Sequence, residues 1–232
     1  MRKVSIIIPT KNEEECIFLL LTELKKYYLN IGEIIIVDAM STDKTIQISK
    51  KFNCRIILQK KNQSGYGAAI IKGIKSSVYK YSLILDGDGS KNPLYINQLL
   101  KKINSKDLDF VFAERYGKNA GSFDDTIITY IGNRIFTYLG KFFFKLNIND
   151  ILHTFFICKN SSFKKLRFEY LNFGFCAELP IKIHQYKLKY SSIPTIERRR
   201  FGGLVKVRSL IDGMVILRSM LFLFFASLGK KF

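Results

Sequence analysis

The sequence contains no tryptophan, two histidines, four prolines and four cysteines, and its 19 acidic residues are half as many as its 38 basic ones. Each shortage excludes something. Cys16, Cys54, Cys158 and Cys176 lie far apart, with no CxxC pair and no His-rich companion of the kind zinc ligands need. They read as reduced, mostly buried thiols of a cytosolic protein. The N-terminal stretch lacks the basic n-region, apolar h-region and small-residue cleavage site of a signal peptide, since residues 4–8 run straight into Pro9 and Thr10, so the chain is expected not to be exported. No uncharged apolar run reaches the roughly 18–20 residues of a spanning helix; Arg218 interrupts the best candidate, between Asp212 and Gly229. Neither GxGxxG nor GxxxxGK[ST] occurs, so a Rossmann pyrophosphate site and a P-loop are both unsupported. No helix-turn-helix, zinc-finger or RNP-like pattern appears either, which argues against nucleic acid as a partner.

What is present is a chain of 232 residues, 47% hydrophobic, enough for one substantial core. The expected organisation is a domain over 1–208 followed by an apolar and basic C-terminal helix over 209–232. A net charge of +19 calls for a partner carrying negative charge, whether nucleic acid, anionic lipid or a phosphorylated metabolite.

Short β-rich runs alternate with helical patterns: VSIII, EIIIVD, CRIIL, YSLILD and DFVFA are the strands. This alternation predicts an α/β fold with a largely parallel, helix-flanked sheet. Ligands of such sheets bind beyond the carboxyl ends of the strands. The segments in question are Pro9 to Glu13, Asp38 to Asp43 and Asp86 to Ser90. Acidic strand ends in so basic a protein point to a built site.

The central constellation is Asp86-Gly87-Asp88-Gly89-Ser90. Two carboxylates one residue apart, on a turn loosened by glycine, can both face a hard divalent cation, Mg²⁺ or Mn²⁺, bridged to a diphosphate. A plain tight turn is the other reading; the position after a buried strand favours the metal. Asp38 ends the second strand, while Ser41 or Asp43 after it fits a helix cap equally well. Glu13 fits either a site or a first-turn acid favoured by the helix dipole. Gly65-Tyr66-Gly67 opens the helix over residues 69–76, where glycine permits close backbone approach to a ligand.

These residues, in this order, resemble glycosyltransferase family 2, and within it the polyprenyl-phosphate sugar transferases of the dolichol-phosphate mannose synthase type. IIIPTKNEE, IIIVDAMSTDKT, GYGAAIIKGI and LILDGDGSKNP carry the resemblance in register, followed by AERY at 113–116. Asn133, Asp150, Glu178 and an R-x-x-G-x-x-K stretch across Arg200, Gly203 and Lys206 resemble later motifs. The resemblance implies a GT-A nucleotide-sugar fold and a metal-dependent, inverting transfer. Pro9, Thr10, Glu13, Asp38 and Gly67 would bind the nucleotide together with Asp86. Asp86 and Asp88 would hold Mg²⁺ or Mn²⁺ and the diphosphate, and Arg115 would join them as a catalytic group. Arg115, Arg134, Arg200 and Lys206 would face acceptor or diphosphate oxygens. Ala39, Met40, Val205 and His153 depart from the residues many relatives carry; His153 reads as substrate-adjacent or simply packed.

The membrane expectation has its own physical basis. Between Thr126 and Leu146 the chain is apolar almost all round, with Arg134, Lys141 and Lys145 on one helical stripe. Such a helix suits a lipid interface, or a core with its basic stripe in water. With the C-terminal apolar segment behind Arg198, Arg199, Arg200, Lys206 and Arg208, it predicts a peripheral protein on the cytoplasmic face of a membrane. The expected partners are therefore a nucleotide-sugar donor and a lipid-phosphate acceptor. A polysaccharide or glycolipid hydroxyl acceptor shares every donor residue, and a degenerate membrane scaffold or a nucleic-acid binder is the non-enzymatic alternative. Donor base, sugar and oligomeric state depend on pocket and surface shape, which no motif encodes.

Overall fold

A computed structural model of the chain describes residues 3–27, 31–203, 206 and 208–228. Val205, Lys230 and Lys231, singled out from the sequence or lying in the basic tail, fall outside the described residues. The first half repeats one unit: β1 (Val4–Thr10) and α1 (Glu14–Tyr27), β2 (Glu33–Asp38) and α2 (Thr45–Lys51), β3 (Arg55–Leu58) and α3 (Tyr66–Ser76), β4 (Tyr81–Ile84) and α4 (Ile96–Ser105). The second half is less regular. It runs through β5 (Phe110–Glu114), β6 (Gly121–Ser122), α5 (Ile127–Phe144), β7 (Phe156–Lys159), α6 (Asn160–Phe163), α7 (Gly174–Gln185), β8 (Tyr190–Pro194), β9 (Ile196–Glu197) and α8 (Ser209–Leu228).

The main sheet has the order β3-β2-β1-β4-β7-β5-β8, and β6 pairs with β9 in a separate ribbon. Every pairing in the main sheet is parallel except those of β7, which runs antiparallel to β4 and to β5. The five strands read from the sequence are all present within a residue or two of their expected ends; β7 and β8 in this sheet, and β6 and β9 in the ribbon, are additions. Apolar side chains alternate between two cores because successive Cβ atoms of a strand point to opposite faces. Ile7, Ile35, Val37, Ile84 and Phe110 pack under α3 and α7. Ile6, Ile8, Ile36, Leu83 and Val111 pack with α1 and α4. With both faces covered, the strands read as unbroken hydrophobic runs rather than alternating ones.

Two helices lie differently. α5 is capped by Thr126, whose side chain accepts from the Thr129 N–H, and it buries only Thr137, Gly140 and Phe144. Ile127, Ile128, Ile131, Ile135, Tyr138 and Phe142 are exposed, as are Arg134 and Lys141. α8 sends Ile216, Met220 and Leu223 into the main core, against α7 and α5. It leaves Leu210, Met214, Leu217, Leu221, Phe222 and Phe225 outside. The helix is therefore apolar on both its inner and its outer faces. Despite Asp212 and Arg218, its stretch Ser209–Ser227 is long and apolar enough to cross a membrane by length and composition, and only 28% of it is buried.

Candidate functional site

Parallel strands bring the ends of β1, β2, β4 and β5 to one edge, and the acidic residues gather there. At the β1–β2 edge, Thr10 Oγ1 donates to Asp38 Oδ2 at 2.9 Å. Ser41 donates to the same carboxylate through its N–H, at 2.7 Å, and its hydroxyl, at 2.5 Å. Asp38 is fully buried and spends its acceptors on joining the two loops. Pro9, half-buried, sits opposite Val37 in the same pairing. Asp43 takes the local role, accepting from the N–H and hydroxyl of Thr45 at 3.0 and 2.5 Å and from the Glu14 N–H at 3.0 Å.

Glu13 is no exposed first-turn acid. It is 7% exposed; Oε1 is bonded to the Lys206 ammonium, and Oε2 has no partner among the described residues. Burial raises its pKa, with Asp88 and Asp86 adding to the effect and Lys206 opposing it.

The Asp86–Ser90 turn follows β4. Asp86 accepts from Tyr66 OH through Oδ1, at 2.8 Å, and from Lys91 Nζ through Oδ2, at 3.0 Å. Asp88 accepts from the Ser90 N–H and hydroxyl through Oδ1, at 3.0 and 2.9 Å, while Oδ2 faces Arg200 Nη1 at 3.7 Å. Burial first, and the neighbouring Asp86 second, raise the Asp88 pKa. Gly89 adopts φ +79°, and a Cβ there would lie 2.4 Å from the Phe201 ring. A glycine is required because the segment after β9 lies directly over the turn. Phe201 N–H donates to the Asp88 carbonyl, Arg198 Nε to that of Gly89 and Arg198 N–H to that of Ser90, at 2.9, 2.6 and 3.1 Å. Arg198 is itself anchored to Glu23 at 2.6 and 3.1 Å, and Arg200 is bonded through N and Nε to Asp124. This strap, residues 198–203, carries Arg200 to the acidic turn.

Beyond β5, Arg115 is 9% exposed and pairs with Asp150, Glu197 and Asp125 at 2.7, 3.3 and 3.5 Å. Burial works against its charge, but Asp150 and Glu197 outweigh it and hold the guanidinium protonated. His153 Nδ1 lies 3.0 Å from the Ala113 carbonyl, so it carries the proton, and its Nε2 has no partner within hydrogen-bond distance among the described residues. Burial and the Arg115 charge push its pKa down to about 3, so the ring is neutral. A cavity of about 340 Å³ opens beside this network, lined by Arg115, Tyr116, Ser122, Asp125, Tyr130 and Arg134 among others. Arg134 is exposed, its guanidinium 5.8 Å from the Tyr116 ring centroid.

The structure thus brings Thr10, Glu13, Asp38, Asp86, Asp88, Arg200 and Lys206 to one edge and places Arg115 and Arg134 beside a neighbouring cavity. Gly67 follows Tyr66, whose hydroxyl reaches Asp86; a Cβ at Gly67 would meet Phe175 at 2.5 Å, so the close approach it permits in the described structure is to α7. Glu178 is buried and accepts the Glu169 and Tyr170 N–H groups at 2.8 and 2.9 Å, bracing a loop. Sequence reasoning missed Lys91, Thr154, Asp124 and Glu197. Asp124 and Asp125 stand out as adjacent acids in a basic chain; a lysine in a polar turn carries no signal of burial. Among the described residues no three His, Cys, Asp or Glu side chains form a ready-made cage for a metal. The donor set nevertheless fits Mg²⁺ or Mn²⁺, which one or two carboxylates commonly hold with substrate phosphates supplying the rest.

Residues 5–167 match the model of the family described as "Glycosyl transferase family 2". An uncharacterized protein of Methanocaldococcus jannaschii is 32% identical over 178 residues, 70% of this chain and 74% of that one. The dolichol-phosphate mannosyltransferase of Pyrococcus furiosus is 31% identical over 121 residues, 50% of this chain and 34% of that enzyme. Among solved structures, glucosyl-3-phosphoglycerate synthase of Mycobacterium tuberculosis, in complex with Mn²⁺, UDP and glucosyl-3-phosphoglycerate, superposes with a TM-score of 0.75 at 15% identity, over 96% of this chain and 80% of that one. The same synthase has been solved with Mg²⁺ and UDP. The similarity to it is one of fold, the mostly parallel GT-A sheet.

Proposed function

The chain belongs to glycosyl transferase family 2, and from that premise we propose that it moves a hexose from a nucleotide-sugar to a polyprenyl phosphate at the cytoplasmic face of a membrane. One observation carries this reading: the Asp86–Asp88 turn, a metal and diphosphate site by its chemistry, lies under a strap whose Arg200 reaches Asp88. The cavity of Arg134 lies near it: Arg115 of its lining pairs with Glu197, just before the strap, and Asp124, the chain neighbour of Asp125 in the lining, accepts from Arg200.

Thr10, Asp38 and Pro9 shape the floor on which base and ribose rest, and Asp38 acts chiefly by holding the two loops together. Asp86 and Asp88 would hold Mg²⁺ or Mn²⁺, which supplies Lewis-acid stabilisation of the departing nucleoside diphosphate. Arg200 and Lys206, paired with Asp124 and Glu13, would also offer charge-assisted contacts to the donor's phosphate oxygens and so stabilise the charge that develops on departure. Arg134 receives the acceptor phosphate. Arg115, fully engaged by carboxylates, positions that cavity rather than touching the reacting atoms. A phosphate acceptor is already ionised near neutral pH, so the chemistry asks for little from a general base.

On this reading residues 1–208 are the catalytic unit and the segment from 209 onward is membrane-associating, α8 (Ser209–Leu228) being its described part and residues 229–232 lying outside the described residues. The support is the run of exposed apolar side chains along α5 and α8, among them Ile127, Ile131, Tyr138, Leu210, Met214 and Phe225. α8 is docked by its inner stripe on the domain, which favours lying in the interface over crossing it.

Calorimetry of the purified chain with UDP-glucose and with GDP-mannose, each with and without Mn²⁺, tests the donor half. Metal-dependent binding of one donor is the expected result; binding of neither would remove it. Radiolabelled transfer to a short polyprenyl phosphate, compared with its dephosphorylated alcohol, tests the acceptor half. Transfer to the alcohol alone would replace the lipid phosphate with a hydroxyl acceptor.

A further inference from the structure

Lysine in a polar turn ordinarily keeps its ammonium in water. Lys91 does not: its side chain is 1% exposed, beneath the acidic turn. Nζ lies 3.0 Å from Asp86 Oδ2, 3.1 Å from Thr154 Oγ1 and 3.2 Å from Tyr66 OH. An ammonium has three donors, and three acceptors surround this one. Tyr66 OH closes the cluster, donating to Asp86 Oδ1 at 2.8 Å with Thr154 Oγ1 2.5 Å away. Both oxygens of Asp86 are therefore engaged from below, and the cation beneath them has nowhere to go.

Arg198 is held on the outer side of this turn by the Gly89 carbonyl and Glu23, and two further cations are placed differently. Arg200 and Lys206 have side chains 23% and 35% exposed, and Arg200 rides on the strap, so both can move to an incoming phosphate. Lys91 stays through the cycle. Its charge offsets half of the negative charge that Asp86 and Asp88 would offer a divalent cation, and it lies within a few ångströms of where that cation would sit, in a partly buried setting where such repulsion is weakly screened. A diphosphate brings the missing negative charge with it.

We propose that Lys91 is a fixed counter-ion that makes the Asp86–Asp88 pair a poor site for a divalent cation alone and a good one for that cation together with a nucleoside diphosphate, so that metal and donor are taken up as a unit. The inference rests on the donor-site reading above and deepens it. Lys91 is a positioning residue: it touches Asp86, not the reacting atoms.

The test is Mn²⁺ binding to the purified full chain, followed by the electron paramagnetic resonance of free Mn²⁺, alone and with UDP or GDP. Wild type should bind Mn²⁺ weakly by itself and far more tightly with one of the diphosphates. Lys91→Met should bind Mn²⁺ alone at least about tenfold more tightly, and in each protein the factor by which the diphosphate tightens Mn²⁺ should equal the factor by which Mn²⁺ tightens the diphosphate. Lys91→Gln, which keeps a donor for Thr154 and Tyr66 but no charge, should behave like Lys91→Met, and it carries the comparison if the methionine variant does not unfold cooperatively. Wild-type Mn²⁺ affinity in a folded Lys91→Gln protein would overturn the counter-ion role while leaving the donor site standing. A wild-type chain that binds no Mn²⁺ with either diphosphate would instead remove the donor-site reading, and this inference with it.

Discussion

Arg115 and Asp150 meet in a two-point pair: Nε donates to Oδ2 at 2.7 Å and Nη2 to Oδ1 at 3.1 Å, and the Arg115 backbone N–H adds a third bond to Oδ2 at 3.2 Å. The pair ties the end of β5 to the loop before β7. Asp150 is buried, yet the adjacent guanidinium outweighs the cost of burial and holds its pKa below the ordinary value. That stabilisation is present above the unfolded pKa and is lost as pH falls through the folded one.

Removing one partner of a buried pair strands the other, so Asp150→Ala should cost about 3–5 kcal/mol of stability. Urea unfolding with an unchanged m-value is the check. A loss below about 1 kcal/mol would mean that Glu197 and Asp125 alone hold the guanidinium.

Asp88 has a different place, at the mouth of the turn with Oδ2 lightly engaged. Asp88→Ala should keep a cooperative melt and lose metal-dependent donor binding together with sugar transfer. Retained turnover with full metal dependence would count against the site. Arg200→Ala should slow transfer to a phosphate acceptor more than it slows donor hydrolysis, and equal losses in the two assays would assign the guanidinium to the diphosphate instead.

The neutral, enclosed His153 should make the fold acid-sensitive. Its folded pKa, about 3, lies below the ordinary histidine value of 6.5, so the unfolded chain binds the proton first as pH drops. Stability from this group is complete above pH of about 6.5 and declines steadily below it. Thermal melts between pH 7.5 and 4.5 should fall less steeply for His153→Gln than for wild type; parallel curves would show that the ring takes up no proton differentially.

The exposed faces of α5 and α8 supply the last prediction. Ile131 and Met214 are 51% and 64% exposed, so Ile131→Glu with Met214→Glu should change stability little. Binding to anionic vesicles in a flotation assay should weaken at least about tenfold, through lost apolar burial and added repulsion. Unchanged flotation would place the membrane contact elsewhere.

The parallel half of the fold was legible in the sequence because strands buried on both faces must be continuous apolar runs, and VSIII, EIIIVD and YSLILD are such runs. The acidic strand ends were legible for a related reason: chain order alone places them at one edge of a parallel sheet. β7 escaped because its insertion between β4 and β5 reverses direction, a choice that depends on which strands are already side by side and leaves no mark on the run FFICK. The strap was equally hidden, since Arg200 and Asp88 meet only after β9 delivers one over the other. Charge in the sequence was a sum, +19; tertiary structure decided which cations stay in water and which, like Lys91, are enclosed against a carboxylate, because burial and pairing are properties of neighbours in space and not of neighbours in the chain.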